Sequence, residues 1–168
     1  MFNIFKQKKS TPDVPADTSH FLAAVADGTL ISITDVPDEV FSHKILGDGY
    51  AIQPSSGSIC SPAKGTVTEV YDTGHAYCIT LDDGLEILVH IGIDTVELKG
   101  DGFSSIVKKG DSVSSGSPLA VADLKKIRTR GYKTTTMVVI TNTDAIKSFA
   151  LSEKTNVRAG DIALTYKL

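Results

Sequence analysis

Tryptophan is absent from the 168 residues, cysteine occurs only twice, and aromatic side chains make up 7%. The two cysteines, Cys60 and Cys78, stand outside any CxxC. They exclude a disulfide framework, and in a reducing compartment they read as small buried hydrophobes. An excess of basic charge is also missing, since 17 Lys and Arg face 20 Asp and Glu for a net charge of −3. No nucleic-acid partner is therefore expected, because the broad basic field such binding uses is lacking. No apolar run approaches the roughly 18–20 residues that cross a bilayer, and no long apolar segment precedes a cleavage site. A cytoplasmic protein is the expectation. The phosphate-cradling patterns GxxxxGK[ST] and GxGxxG do not occur, which disfavours direct use of a nucleotide.

What the chain has in quantity is β-branched residues: 14 Val, 15 Ile and 17 Thr against 12 Leu, punctuated by 14 Gly. This mixture favours strands and tight turns. Residues 1–20, with Lys6, Lys8 and Lys9 followed by STPDVPADTS, lack hydrophobic period and are expected to form a flexible N-terminal tail. One folded domain is expected over 21–168. Within it, apolar segments arrive every 8–12 residues between turn signals, the rhythm of an all-β protein, an antiparallel sandwich or barrel. Strands are expected at 29–33, 50–53, 58–60, 65–71, 76–81, 85–91, 118–122, 137–141 and 161–166. Short helices are expected at 37–41 with Pro37 in the first position, at 143–151 capped by Thr143, and at 103–109. The runs VKKGDSV at 107–113 and VRAGDIA at 157–163 read as similar turns feeding similar strands.

The segment 71–96, YDTGHAYCITLDDGLEILVHIGIDTV, carries the most chemistry. Asp82-Asp83-Gly84 between two β-rich runs signals a hairpin. If Asp83 and Gly84 form the loop, Tyr77 faces His90 and His75 is its diagonal neighbour; if Asp82 and Asp83 form it, His75 faces His90 directly. Either two-residue loop brings the imidazoles to one face, whereas a three-residue loop without a bulge separates them. Ile87, Val89 and Ile91 make the better core face, so His90 is expected to look outward with Leu88 and Glu86, followed by Gly92. A neutral imidazole whose one nitrogen is fixed by a backbone acceptor leaves the other as a nucleophile. His20 and His43 are expected to be solvated surface residues.

At these residues the sequence resembles the glucose-type enzyme IIA proteins of the bacterial phosphoenolpyruvate-dependent sugar phosphotransferase system. The likeness rests on GLEILVHIGIDTVELKGDGF at 84–103, with further pieces at 35–54, 61–67, 73–77, 108–113 and 157–164. It implies a β-sandwich or barrel of the duplicated hybrid motif type, with the glucose-type EIIA domain spanning 21–168. It also implies that His90 accepts a phosphoryl group from the histidine-containing phosphocarrier protein and passes it to the IIB domain of a membrane sugar permease. His75 would stabilise the phosphorylated state, Thr73 would hydrogen-bond at the site, and a carbonyl at Gly92 would orient His90. Val40, Phe41, Ile45, Tyr71, Leu88 and Val96 would surround the histidines as a partner-binding depression, with Asp38 and Asp94 near its rim. Gly74 stands where many relatives have Asn, and Tyr71, Cys78, Leu88 and Ile91 where many have Phe.

No cofactor is required by this chemistry, although the resemblance allows His75 and His90 to share a zinc ion with a partner carboxylate at an interface, and regulated enzymes or permeases are further partners it implies. The chain would work in the cytoplasm and meet the inner face of the membrane through the permease. Rival readings are a zinc peptidase of related β architecture, which needs an HxH pair where this chain has His90-Ile91-Gly92, a biotin- or lipoyl-carrier module, which needs a modified lysine hairpin, and a non-catalytic regulatory binder using the same patch.

Overall fold

The computed structural model describes residues 20–168. The tail expected over 1–20 thus lies outside the described residues except for His20, which opens the first strand. Fourteen strands follow in chain order: β1 (His20–Ala23), β2 (Gly28–Ser32), β3 (Asp48–Pro54), β4 (Ser58–Cys60), β5 (Gly65–Val70), β6 (Ala76–Leu81), β7 (Glu86–Ile91), β8 (Phe103–Ser105), β9 (Ser112–Val113), β10 (Pro118–Ala122), β11 (Thr136–Ile140), β12 (Ser148–Leu151), β13 (Asn156–Val157) and β14 (Ile162–Lys167). Among the described residues the α-helices are two pieces of one to two turns, α1 (Glu39–Ser42) and α2 (Leu124–Thr129). Strand pairing is antiparallel throughout the described residues: an eight-stranded sheet in the order β13-β2-β3-β11-β7-β6-β5-β9, and two three-stranded sheets, β1-β14-β12 and β4-β10-β8.

Alternation along the central strands decides what each face does. Ile87, Val89 and Ile91 of β7, with Val138 and Ile140 of β11, enter the main core beside Tyr77, Ile79, Leu119 and Leu164. Their neighbours Leu88, Met137 and Val139 point the other way, into a second cluster with Ile33, Val36, Phe41, Ala51, Ala76 and Ile93. Strand β11 is buried along its whole length because both of its faces are covered. The second cluster is roofed by a 3-10 turn at Ile33–Asp35 and by α1. His90 stands on this face.

Several local expectations are corrected. The 37–41 helix is displaced to Glu39–Ser42 because Asp38 caps it, its carboxylate accepting from the Val40 and Phe41 amides at 3.0 and 3.3 Å; Pro37 precedes the cap. The segment 143–151 makes only a 3-10 turn at Thr143–Ala145 and then pairs with β14 as β12. The 103–109 stretch contains no helix, since Phe103–Ser105 pairs with β10. The helix α2 carries no signal that the sequence reading used. The echo between 107–113 and 157–163 is geometric: Gly110 and Gly160 both have φ near 95°, and in each turn the Asp side chain accepts from the amide three residues back. Val67 and Ala24 dock on the two turns through equivalent pairs of backbone hydrogen bonds.

Candidate functional site

The β6–β7 hairpin has neither of the two-residue loops weighed from sequence. Asp82, Asp83 and Gly84 all lie in the loop, Leu81 and Leu85 close it, and Gly84 takes φ 93° after a turn from the Leu81 carbonyl. The register therefore sets Ala76, not His75 or Tyr77, opposite His90. The imidazoles meet nonetheless, with ring centroids 4.9 Å apart and planes at 81°. His75 precedes the first residue of β6, on the 71–75 turn that Gly74 bends with φ 68°, so strand alternation does not govern where its side chain goes.

His90 is held from behind. Its Nδ1 lies 2.8 Å from the Gly92 carbonyl, an acceptor only, so Nδ1 carries the proton and Nε2 keeps its lone pair. Gly92 adopts φ 79°, and a Cβ there would lie 2.4 Å from Thr95 Cγ2 and 2.9 Å from the Lys133 carbonyl. Thr95, fully buried, donates to the Ile91 carbonyl at 2.5 Å and braces the same bend. Burial lowers the pKa of His90, partly opposed by the Gly92 carbonyl and by the charge of Asp38. His75 is more enclosed, at 4% exposure. Burial and, secondarily, the neighbouring His90 lower its pKa to about 4, so His75 is neutral near pH 7. Its Nδ1 sits 2.5 Å from Thr73 Oγ1.

Around the pair lies an open hollow of about 290 Å³, lined by Asp38, Val40, Phe41, Tyr71, Leu88, Asp94 and Val96 along with both histidines. Of the expected depression residues only Ile45 does not line it; it is 67% exposed, and its neighbour Leu46 takes that place. Phe41 tilts against His90 at 5.1 Å between centroids, and Tyr71 meets His75 edge-on at 5.6 Å. Asp38 is partly engaged as the α1 cap, while Asp94, in the left-handed region at φ 58°, makes no capping bond with its side chain. The sequence reading missed Leu46, Ala76 and Thr95; the spacing of Thr95 from His90 in the HIGIDT run was the available signal.

A larger hollow of about 570 Å³ lies at the loop end of the hairpin, lined in part by His20, Asp83 and Tyr166. There His20 pairs with Asp83 at 3.1 Å and stacks on Tyr166, whose hydroxyl donates to Asp83. His20 is thus tied into the sheet, contrary to its reading as a solvated residue, and the larger volume contains no second imidazole. His43 is exposed at the C-terminal end of α1, as expected. Among the described residues no group of three or more His, Cys, Asp or Glu is placed to hold a metal. His75 and His90 could serve a zinc ion only with ligands from elsewhere.

The fold is thus an antiparallel all-β sandwich that holds two facing imidazoles in a largely apolar depression, with a backbone carbonyl behind one of them. In fold it matches glucose permease IIA from Mycoplasma capricolum, with a TM-score of 0.83, 35% identity, and coverage of 89% of this chain and 96% of that one. The glucose-specific EIIA component of Halalkalibacterium halodurans is 38% identical over 157 residues, 94% of this chain and 91% of the relative. The glucose-specific EIICBA component of Streptococcus pneumoniae is 46% identical over 148 residues; these cover 88% of this chain but only a fifth, 20%, of that longer protein. The sequence profile of the phosphoenolpyruvate-dependent sugar phosphotransferase system EIIA 1 family matches residues 20–146. The chain belongs to this family, and is a phosphotransferase component of the sugar phosphotransferase system.

Proposed function

We propose that His90 is the phosphoryl acceptor, taking the group on Nε2 from the histidine-containing phosphocarrier protein and passing it to the IIB domain of a membrane sugar permease. The observation that carries this reading is the protonated Nδ1 held 2.8 Å from the Gly92 carbonyl, which leaves Nε2 unprotonated on a ring that lines the hollow. In acceptance, the Nε2 lone pair attacks phosphorus, the new N–P bond forms as the bond to the donor imidazole breaks, and the proton stays on Nδ1, donated in a hydrogen bond to the Gly92 carbonyl. A lowered pKa keeps His90 neutral and nucleophilic at cytoplasmic pH.

His75 takes the second role. With Thr73 Oγ1–H donating to its Nδ1, the neutral ring carries its proton on Nε2 and offers it to a phosphoryl oxygen on His90, a hydrogen bond assisted by the charge of the phosphoryl group. The apolar rim of Val40, Phe41, Tyr71, Leu88 and Val96 excludes water when a partner protein covers it, which protects the phosphoramidate during transfer. Asp38 and Asp94 face the incoming partner at the edge. A zinc ion shared with a partner carboxylate would occupy the same two imidazoles and is no part of the transfer. The protein works in the cytoplasm and docks at the inner membrane face through the permease. The names of relatives, fusions of EIIA with permease components among them, support a sugar permease as the partner.

The test is delivery. His75→Gln is expected to accept label from the phosphocarrier protein within a few-fold of the wild-type rate and to lose transfer to a purified IIB domain by two orders of magnitude or more. Loss of acceptance would overturn the division of roles, and a protein that binds the permease domain without ever taking label would be a regulatory binder instead.

A further inference from the structure

Tyr77 lies wholly within the core, yet its hydroxyl emerges beneath the turn that carries His75. It sits 3.0 Å from the Gly74 carbonyl, the peptide oxygen adjoining His75, and 2.6 Å from Ser105 Oγ on β8. The proton assignments follow from what each group can do. A carbonyl only accepts, so the single phenolic proton goes to Gly74, and Ser105 must donate its own proton to the phenolic oxygen. The hydroxyl chain therefore runs in one direction, Ser105 to Tyr77 to the Gly74 carbonyl. The turn is crowded on the same side: a Cβ on Gly74 would meet Phe103 Cβ at 3.2 Å and Ser105 Oγ at 3.4 Å, and the Phe103 ring stands edge-on to His75 at 6.4 Å. Ser105 is itself fixed by β8 pairing opposite Ala120.

We infer that the Tyr77–Ser105 pair is the positioning device for His75: it clamps the 74–75 peptide against β8 and so sets where His75 Nε2 lies relative to a phosphoryl group on His90. Thr73 fixes the ring's proton; Tyr77 and Ser105 fix the backbone from which the ring hangs. This inference rests on the delivery role given to His75 above. A displacement of the order of 1 Å at a transferring group costs up to about a hundredfold in rate, so loss of the clamp is felt in delivery.

The experiment compares Tyr77→Phe and Ser105→Ala with Tyr50→Phe. Tyr50, on β3 two strands from β7 and in the main core rather than on the face that carries His90, is an equally buried tyrosine whose hydroxyl donates to the Ala23 carbonyl at 2.5 Å, and it controls for loss of a buried hydroxyl as such. With the phosphocarrier protein as donor and a IIB domain as acceptor, Tyr77→Phe and Ser105→Ala should slow delivery by roughly tenfold relative to acceptance. Both should also shift the His75 imidazole nitrogen resonances, while Ser105→Thr restores both readings and Tyr50→Phe alters neither. Wild-type delivery with unshifted His75 resonances in Tyr77→Phe overturns the inference. So does an equal effect from Tyr50→Phe, which would mark a general structural loss. His75→Gln run alongside separates the two claims: if it delivers normally, the role given to His75 fails before the clamp is at issue.

Discussion

At the scale of single residues, the two histidines are alike in type and different in environment. His90 keeps Nε2 free because the Gly92 carbonyl claims Nδ1, whereas His75 has its Nδ1 engaged by Thr73 and is almost fully enclosed. The lowered pKa of His75, about 4 against an ordinary 6.5, links the site to stability. Between these values the unfolded chain binds more protons at this position than the folded one, so stability falls as pH drops from about 6.5 to 4. Replacing the ring by Gln removes that linkage. In denaturant titrations the pH dependence over this interval should be shallower for His75→Gln by up to about 3 kcal/mol, and equal slopes would show that His75 is not buried neutral. An NMR titration of the wild type should find the His75 ring still neutral at pH 5.

At the scale of elements, glycines on one hairpin separate strain from function. Gly84 and Gly92 both adopt positive φ, 93° and 79°, but a Cβ at Gly84 meets nothing within 4 Å while one at Gly92 strikes Thr95 and the Lys133 carbonyl. Gly84→Ala should cost about 1 kcal/mol of stability and leave phosphoryl acceptance unchanged. Gly92→Ala should cost about 2–3 kcal/mol and slow acceptance by more than tenfold, because the carbonyl that holds His90 is displaced. Equal acceptance rates in the two variants would mean that the Gly92 carbonyl does not orient the acceptor.

The same hairpin shows what could be read in advance. Alternation in 86–91 correctly put Ile87, Val89 and Ile91 in the core and His90 on the opposite face. The loop was beyond reach, because Asp82-Asp83-Gly84 suits a two-residue or a three-residue turn, and a one-residue difference flips every side chain. The meeting of the rings was expected for strand neighbours and is achieved by a turn residue instead. Short strands such as β9 and β13, two residues each, carry no period to detect, and the helical signal over 143–151 gives way to β12 because its distant partner β14 makes that segment a strand. Asp38 outweighed Pro37 as the start of α1 because a carboxylate that accepts two amides fixes the first turn.

At the scale of the whole molecule, the three sheets close around one main core, and the eight-stranded sheet carries a second, smaller cluster on its other face beneath the histidines. The site therefore stands on a support buried from both sides. Ile87→Ala, at 1% exposure in the main core, should lower stability by about 2–5 kcal/mol in a single cooperative transition, with phosphoryl acceptance intact below the melting temperature. The most direct measurement is the position of the phosphoryl group itself. The chain should be labelled from phosphoenolpyruvate through the general phosphotransferase proteins and examined by phosphorus–nitrogen correlation NMR beside His90→Gln. One acid-labile group per chain, bonded to Nε2 of His90 and lost in the variant, is the predicted result; label retained by His90→Gln, or bonded to His75 or to Nδ1, would contradict the account.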